Sequence, residues 1–168
     1  MKDDAKTQLE QILAAYDEKL SEVDRLGAAD RAAQAEFPGR FATLRTETIR
    51  PALQELAQVL TSRGHEASVR EQERSSSNAS GVTLAATSLR IVPKPFAQKS
   101  PGRNETFIEV TFAANPGERK VTVSSTNTMI TFGASVGDRG EYELGALTSE
   151  VVVGLVLQTL KDAFTGAK

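Results

Sequence analysis

The stretch that most constrains this chain runs from Val151 to Leu157 and reads Val-Val-Val-Gly-Leu-Val-Leu. Other apolar groups must cover it, because each methylene removed from water is worth about 0.8 kcal/mol. Thr148 precedes the run as a candidate helix N-cap, and apolar residues continue at helical spacing to Phe164. Valines favour strands, but a strand of this length would be unusually long. The sequence therefore predicts a C-terminal helix that packs on a sheet.

Alternation with a period of two predicts that sheet between residues 65 and 145. Neighbouring strands joined by short turns usually pair, so we expect an antiparallel meander of about five strands. Residues 75–80 and 133–140 are predicted loops, and Met129, Ile130 and Phe132 mark a further strand or an extension of its predecessor. The predicted strands are Glu66–Arg74, Val82–Val92 with a bulge near Thr87 and Ser88, Thr106–Ala114, Lys120–Ser125 and Glu141–Leu144.

The N-terminal part has helical periodicity from about Lys6. Its apolar stripe follows heptad spacing over a short length, and Ile12 widens it. Two partners remain open for this stripe: a neighbouring helix of the same chain, or a second copy in an intermolecular coiled coil. The candidate partner interface consists of Leu9, Leu13, Tyr16, Leu20 and Val23.

A turn is predicted at Phe37-Pro38-Gly39, because proline and glycine together are strong helix breakers. A second helix should follow, with apolar residues near one face up to Leu60. We expect a kink at Pro51 and the end of the helix at Gly64. The expected fold class is α+β. Residues 1–64 form a helical hairpin or arm and residues 65–168 hold the sheet and C-terminal helix, within one structural domain overall.

Composition excludes several classes of protein. The 168 residues include no cysteine and one histidine, so disulfides, thiolate metal sites and cysteine nucleophiles are excluded. Twenty basic and twenty-two acidic side chains give a net charge of −2, which disfavours nucleic-acid binding because no overall positive field attracts phosphates. The charged N-terminus lacks the pattern of a signal peptide, and no apolar run approaches the ~20 residues of a membrane span. We expect a cytoplasmic protein without metal or cofactor.

One motif resembles a catalytic element. Gly133-Ala134-Ser135-Val136-Gly137 matches the G-x-S-x-G pattern of a hydrolase nucleophile elbow. That element needs a helix directly after the serine and a histidine later in the chain. The motif is followed here by a turn and a predicted strand, and His65 lies far upstream. Ser135 is therefore interpreted as a residue of a glycine-rich loop, and no catalytic residue is predicted.

A basic interval offers a candidate anion patch, because no acidic residue occurs between Glu73 and Glu105. Such a patch could hold a phosphate group, an acidic partner or RNA, but the composition favours a solvated surface loop. The residues of the candidate patch are Arg90, Lys94, Lys99 and Arg103.

Three functional hypotheses follow. The first is a non-enzymatic interaction module that binds a second copy, as a dimer, or another protein through the N-terminal stripe. The second is a carrier of a small apolar ligand, using a cavity between sheet and C-terminal helix that Ala67, Ala86 and Ala114 would leave open. The third is anion or nucleic-acid binding, or an enzyme for an anionic substrate, at residues 90–103. No motif identifies a chemistry.

Overall fold

The computed structural model describes residues 3–77, 81–94, 96, 106–129 and 135–165. The chain forms two compact units, Met1–Phe37 and Pro38–Lys168. The fold is α+β, with a long N-terminal helix, a five-stranded antiparallel sheet and a C-terminal helix. The predicted boundary after residue 64 lies where helix gives way to strand.

Helical structure continues without a break from residue 3 to residue 62. It comprises α1 (Asp3–Leu44), a π-helical turn (Arg45–Ile49) and α2 (Arg50–Ser62). The predicted turn at Phe37-Pro38-Gly39 is therefore wrong, and of the two predicted alternatives the arm is present and the hairpin is not. Pro38 costs about 3 kcal/mol in a helix interior, but burial of Phe41, which is 1% exposed, offsets such a cost.

The kink predicted at Pro51 stays a prediction, and Pro51 lies just after the π-helical turn, where the helical hydrogen-bonding pattern changes. Pro51 has no N–H group to donate within this continuous helix, and the π-helical turn lies just before the missing donor. The backbone N–H of Arg50 donates to the carbonyl of Arg45, which is the wider hydrogen-bonding pattern of a π-helical turn. The end of α2 agrees with the prediction, because Gly64 has a φ of 87° and its neighbour His65 donates to the carbonyl of Leu60.

Seven strands lie in the part of the chain that the structure describes. Their bounds are β1 (Glu66–Gln72), β2 (Ser75–Ser77), β3 (Gly81–Thr83), β4 (Ala86–Val92), β5 (Ile108–Asn115), β6 (Lys120–Asn127) and β7 (Ser135–Tyr142). The main sheet has the strand order β1-β4-β5-β6-β7, with every neighbouring pair antiparallel. A small hairpin of β2 and β3 is inserted between β1 and β4. The meander of about five strands is thus confirmed.

Three predicted details of the sheet are wrong. Ser75–Ser77 is a strand and not a loop, because it pairs with Gly81–Thr83. The parity change in the predicted strand Val82–Val92 comes from a break at residues 84–85, and no bulge lies at Thr87 and Ser88. The predicted loop at 133–140 is largely β7, a polar strand at the sheet edge. Ile130 and Phe132 lie outside the described residues.

The apolar core lies between one face of the sheet and the helices of the second unit. α2 packs on β1 and β4, and α3 (Ser149–Thr165) packs on β5, on α2 and on the π-helical turn. The cross-strand pairs on this face, each at most 3% exposed, are Leu89 with Val110, Ile91 with Ile108, Phe112 with Val123, and Ala114 with Val121.

The run from Val151 to Leu157 forms helix, as predicted, and supplies the central part of this core. Val152 and Val156 are completely buried, whereas Leu157 is 52% exposed. The second side of the run is covered by α2, which packs against α3. The apolar segment is therefore explained by intramolecular packing on two elements.

A bulge in β7 connects the sheet edge to α3. Arg139 is the extra residue, because Gly140 pairs with Val123 and Asp138 pairs with Ser124. Its Nη1 lies 2.6 Å from Oδ2 of Asp162, and its Nε donates to the Ser125 hydroxyl at 3.0 Å. The hydrogen bond from Arg139 holds the pKa of Asp162 below the ordinary value of 3.8.

Two leucines of α3 provide a matched test of this packing. Leu160 is 8% exposed and Leu157 is 52% exposed. We expect Leu160→Ala to lower the free energy of unfolding by about 2–3 kcal/mol and Leu157→Ala by less than about 1 kcal/mol. Urea denaturation followed by circular dichroism measures both, and equal midpoints for the two variants would contradict the predicted packing.

The ion pair of Arg139 and Asp162 predicts an acid-dependent contribution to stability. Because the folded-state pKa of Asp162 is lowered, the contribution is present above the unfolded pKa and is lost as pH falls through the folded pKa. Asp162→Asn should therefore destabilise the protein at neutral pH and much less at about pH 2, as thermal melts at both pH values would measure. Asp17→Asn, on the exposed surface of α1, is the control and should change stability little at either pH.

Candidate interaction surface

The first unit carries a continuous stripe of exposed apolar side chains along α1. Exposed apolar residues are normal when scattered singly, but a contiguous patch marks an interaction surface or an aggregation liability. We call this stripe the α1 seam, and its members are between 45% and 65% exposed. They are Leu9, Ile12, Leu13, Tyr16, Leu20, Val23 and Leu26.

The α1 seam has the geometry of a short coiled-coil face. Leu13 and Leu20 occupy heptad position a, Leu9, Tyr16 and Val23 occupy position d, and Ile12 and Leu26 flank them at position g. From Leu9 to Leu26 the helix rises about 26 Å. The next a and d positions hold Gly27 and Asp30, which end the apolar pattern. The five residues predicted from the sequence thus lie on one face of a single helix.

Charged residues border the α1 seam on its two sides. The e positions next to it hold Glu10, Asp17 and Asp24, and position g between Ile12 and Leu26 holds Lys19, all four exposed. The back of the helix is polar as well. Arg25 donates two hydrogen bonds to Glu22 there, at 2.9 and 2.7 Å, and these bonds hold the pKa of Glu22 below its ordinary value. Only the seam side of this segment is apolar.

The structure describes two of the four residues of the candidate anion patch. Arg90 lies in β4 with its side chain 11% exposed, where its Nη1 is 3.9 Å from Oε2 of Glu109 and its guanidinium stacks 3.6 Å from the centroid of Phe107. Lys94 is exposed in the turn after β4. Lys99 and Arg103 lie outside the described residues. Arg90 thus has a neutralising partner, and anion binding at residues 90–103 stays a prediction.

The sheet face opposite the helices is polar and contains a cavity of about 430 Å³. Ser88 is 7% exposed there and donates to Oε1 of Glu109 at 2.7 Å. Hydroxyl, carboxylate and guanidinium groups give this cavity donors and acceptors for a small polar molecule. Its lining is Arg70, Glu71, Gln72, Ala86, Ser88, Glu109 and Thr111.

A cluster of ion pairs joins the π-helical turn to β1. Arg45 is 9% exposed, and its Nη2 lies 2.7 Å from Oε1 of Glu73. Arg50 binds Glu71 through Nε and Nη2 at 2.8 and 2.5 Å, and this hydrogen bonding is the main reason that the pKa of Glu71 is lowered. Both arginines have carboxylate partners, so the cluster serves to fasten α2 and the turn before it to the edge strand.

Ser135 and His65 each take part in contacts within the fold. Ser135 begins β7, opposite Asn127, and the strand continues where a nucleophile elbow would need a helix. His65 accepts a hydrogen bond at Nδ1 from the backbone N–H of Lys94, and its ring centroid lies 6.0 Å from that of Phe164. Gly133 and Ala134 lie outside the described residues. Among the residues that are described, no three His, Asp or Glu side chains gather in a group that could hold a metal ion.

Comparison with protein-family models, with curated proteins and with solved structures found no match to this chain. Within the described ranges, no helix combines the length and the apolar character that crossing a membrane requires.

Two features of these surfaces were not predicted from the sequence. Leu26 extends the α1 seam. It lies two heptads after Ile12, and this spacing could have predicted its place in the seam. The polar cavity could have been anticipated from Ser88 and Arg90 in β4 and from Glu109 and Thr111 in β5, which alternate with the buried residues. Their proximity across strands depends on register, which the sequence alone does not give.

Proposed function

We propose that this protein is an interaction module that self-associates, as a dimer, through the α1 seam. The observation that supports the proposal is the exposure of all seven apolar side chains of the seam, 45–65% each, on one face of a regular helix. A patch of about five helical turns gains free energy when another apolar surface covers it. The polar back of the helix directs such association to one face.

A second copy of the chain is the partner that matches the length of the seam. It presents an apolar stripe of identical length, and both stripes end at Gly27 and Asp30. An isolated helix with an apolar stripe is marginally stable in water, so pairing also stabilises the helix itself. The cavity on the polar sheet face and the apolar-carrier hypothesis are independent of this proposal.

The expected affinity is modest. Each seam residue is already about half buried, so completing its burial contributes roughly 1 kcal/mol, or roughly 10 kcal/mol for ten a and d side chains in a dimer. Association costs about 4–15 kcal/mol in lost translational and rotational freedom. The dissociation constant should therefore be weaker than about 1 µM, and self-association should depend on protein concentration.

Light scattering or sedimentation over a concentration series tests the proposal. The mass should rise from the 18.0 kDa of one chain towards twice that value. Leu13→Lys places a charge in the seam and should weaken association at least about tenfold, because an unpaired charge at an apolar interface is costly.

Ala15→Lys is the matched control, since it adds the same charge at heptad position c, away from the seam. It should associate as the unchanged protein does, and circular dichroism should show equal helix content in both variants. A strictly monomeric protein at every concentration, or equal association of Leu13→Lys and Ala15→Lys, would reject the proposal.

A further inference from the structure

The charges that border the α1 seam distinguish between the two ways in which two copies can pair. In a parallel, in-register pair, each g residue faces the e residue five positions later on the partner helix. Lys19 then faces Asp24 of the second copy, and the symmetry of the pair repeats this contact. The remaining g residues within the seam, Ile12 and Leu26, are apolar and oppose no like charge.

An antiparallel pair brings like charges together instead. In that arrangement e residues face e residues, and every alignment that overlaps the apolar stretch opposes two of the three carboxylates Glu10, Asp17 and Asp24. An antiparallel alignment in which Arg31 meets Glu10 still opposes Asp17 to Asp24, and it leaves the N-terminal half of the seam without an apolar residue opposite it. Electrostatic complementarity and apolar overlap are thus compatible only in the parallel arrangement.

We infer that the second copy binds the α1 seam in parallel and in register, with Lys19 paired to Asp24 across the interface. This inference rests on the proposed self-association and adds its orientation. Asp30 explains why the paired segment is short, because in this arrangement the next d position would oppose two aspartates. The helices therefore pair from Leu9 to Leu26 and not beyond.

The absence of cysteine from the sequence makes disulfide trapping a direct test of orientation. In a parallel pair, Leu9→Cys and Val23→Cys each place a thiol opposite its own copy. In an antiparallel pair those identical thiols lie at least about 15 Å apart along the helix axis, whereas a disulfide needs Cα atoms within about 7 Å. Each single variant should therefore form a covalent dimer under mild oxidation.

Two kinds of control complete the trapping experiment. Gln11→Cys, at the outward f position, should form few cross-links and measures random collision. Mixtures of Leu9→Cys with Leu20→Cys, and of Leu13→Cys with Val23→Cys, report antiparallel pairs, which intact mass spectrometry identifies as mixed disulfides. Mixed disulfides in excess of the homodimers formed by Leu9→Cys and Val23→Cys would overturn the parallel inference.

Charge reversal provides an independent measurement of the cross-helix pair. Lys19→Glu should weaken self-association about tenfold at low salt, because two attractive contacts become repulsive, and salt should reduce the difference. Combining Lys19→Glu with Asp24→Lys should restore the affinity. If the double variant remains as weak as Lys19→Glu alone, these two residues do not pair.

The outcomes separate the two proposals. Concentration-dependent mass without cross-linking of Leu9→Cys or Val23→Cys rejects the parallel arrangement and leaves self-association standing. A monomer that forms no cross-links above the level of Gln11→Cys rejects both.

Discussion

The second unit depends on the burial of one apolar sheet face beneath two helices. Phe112, Val110 and Leu89 have no exposed surface, and neither do Val152 and Val156 of α3. This contact decides where the other elements lie, because α2 and α3 must each present an apolar stripe to the same face. The opposite sheet face is consequently free to carry hydroxyl and charged side chains.

Polar interactions at the margins of this core fix its edges. The Arg139 bulge connects β7 with α3. Arg45 in the π-helical turn pairs with Glu73 just after β1, and Arg50 at the start of α2 pairs with Glu71 in β1. Each is anchored by a carboxylate, since an unpaired arginine at a partly buried site would carry a large desolvation penalty. The two edge strands are thus held by ion pairs, whereas the central strands are held by apolar packing.

The first unit has the opposite physical character. Its helix has an apolar seam that stays exposed and an acidic border next to it. The exposed large apolar side chains of the second unit are instead distributed over α2, β3, β7 and α3. Our proposal assigns the α1 seam to a second copy, and the charges at Lys19 and Asp24 support a parallel pair. Under this proposal, the second unit serves packing within the chain and the first unit serves association between chains.

The sequence by itself determined the α+β class, the C-terminal helix at Val151–Leu157, the order of the central strands and the α1 seam, because these depend on local apolar periodicity. Tertiary structure decided the continuity of the helix through Pro38, the extent of β7 and the insertion of β2 and β3. Breaker residues and polar strands have weak local signals, and long-range burial and strand pairing outweigh them. The polar cavity and the Arg139 bulge likewise depend on strand register, which arises only when the strands meet.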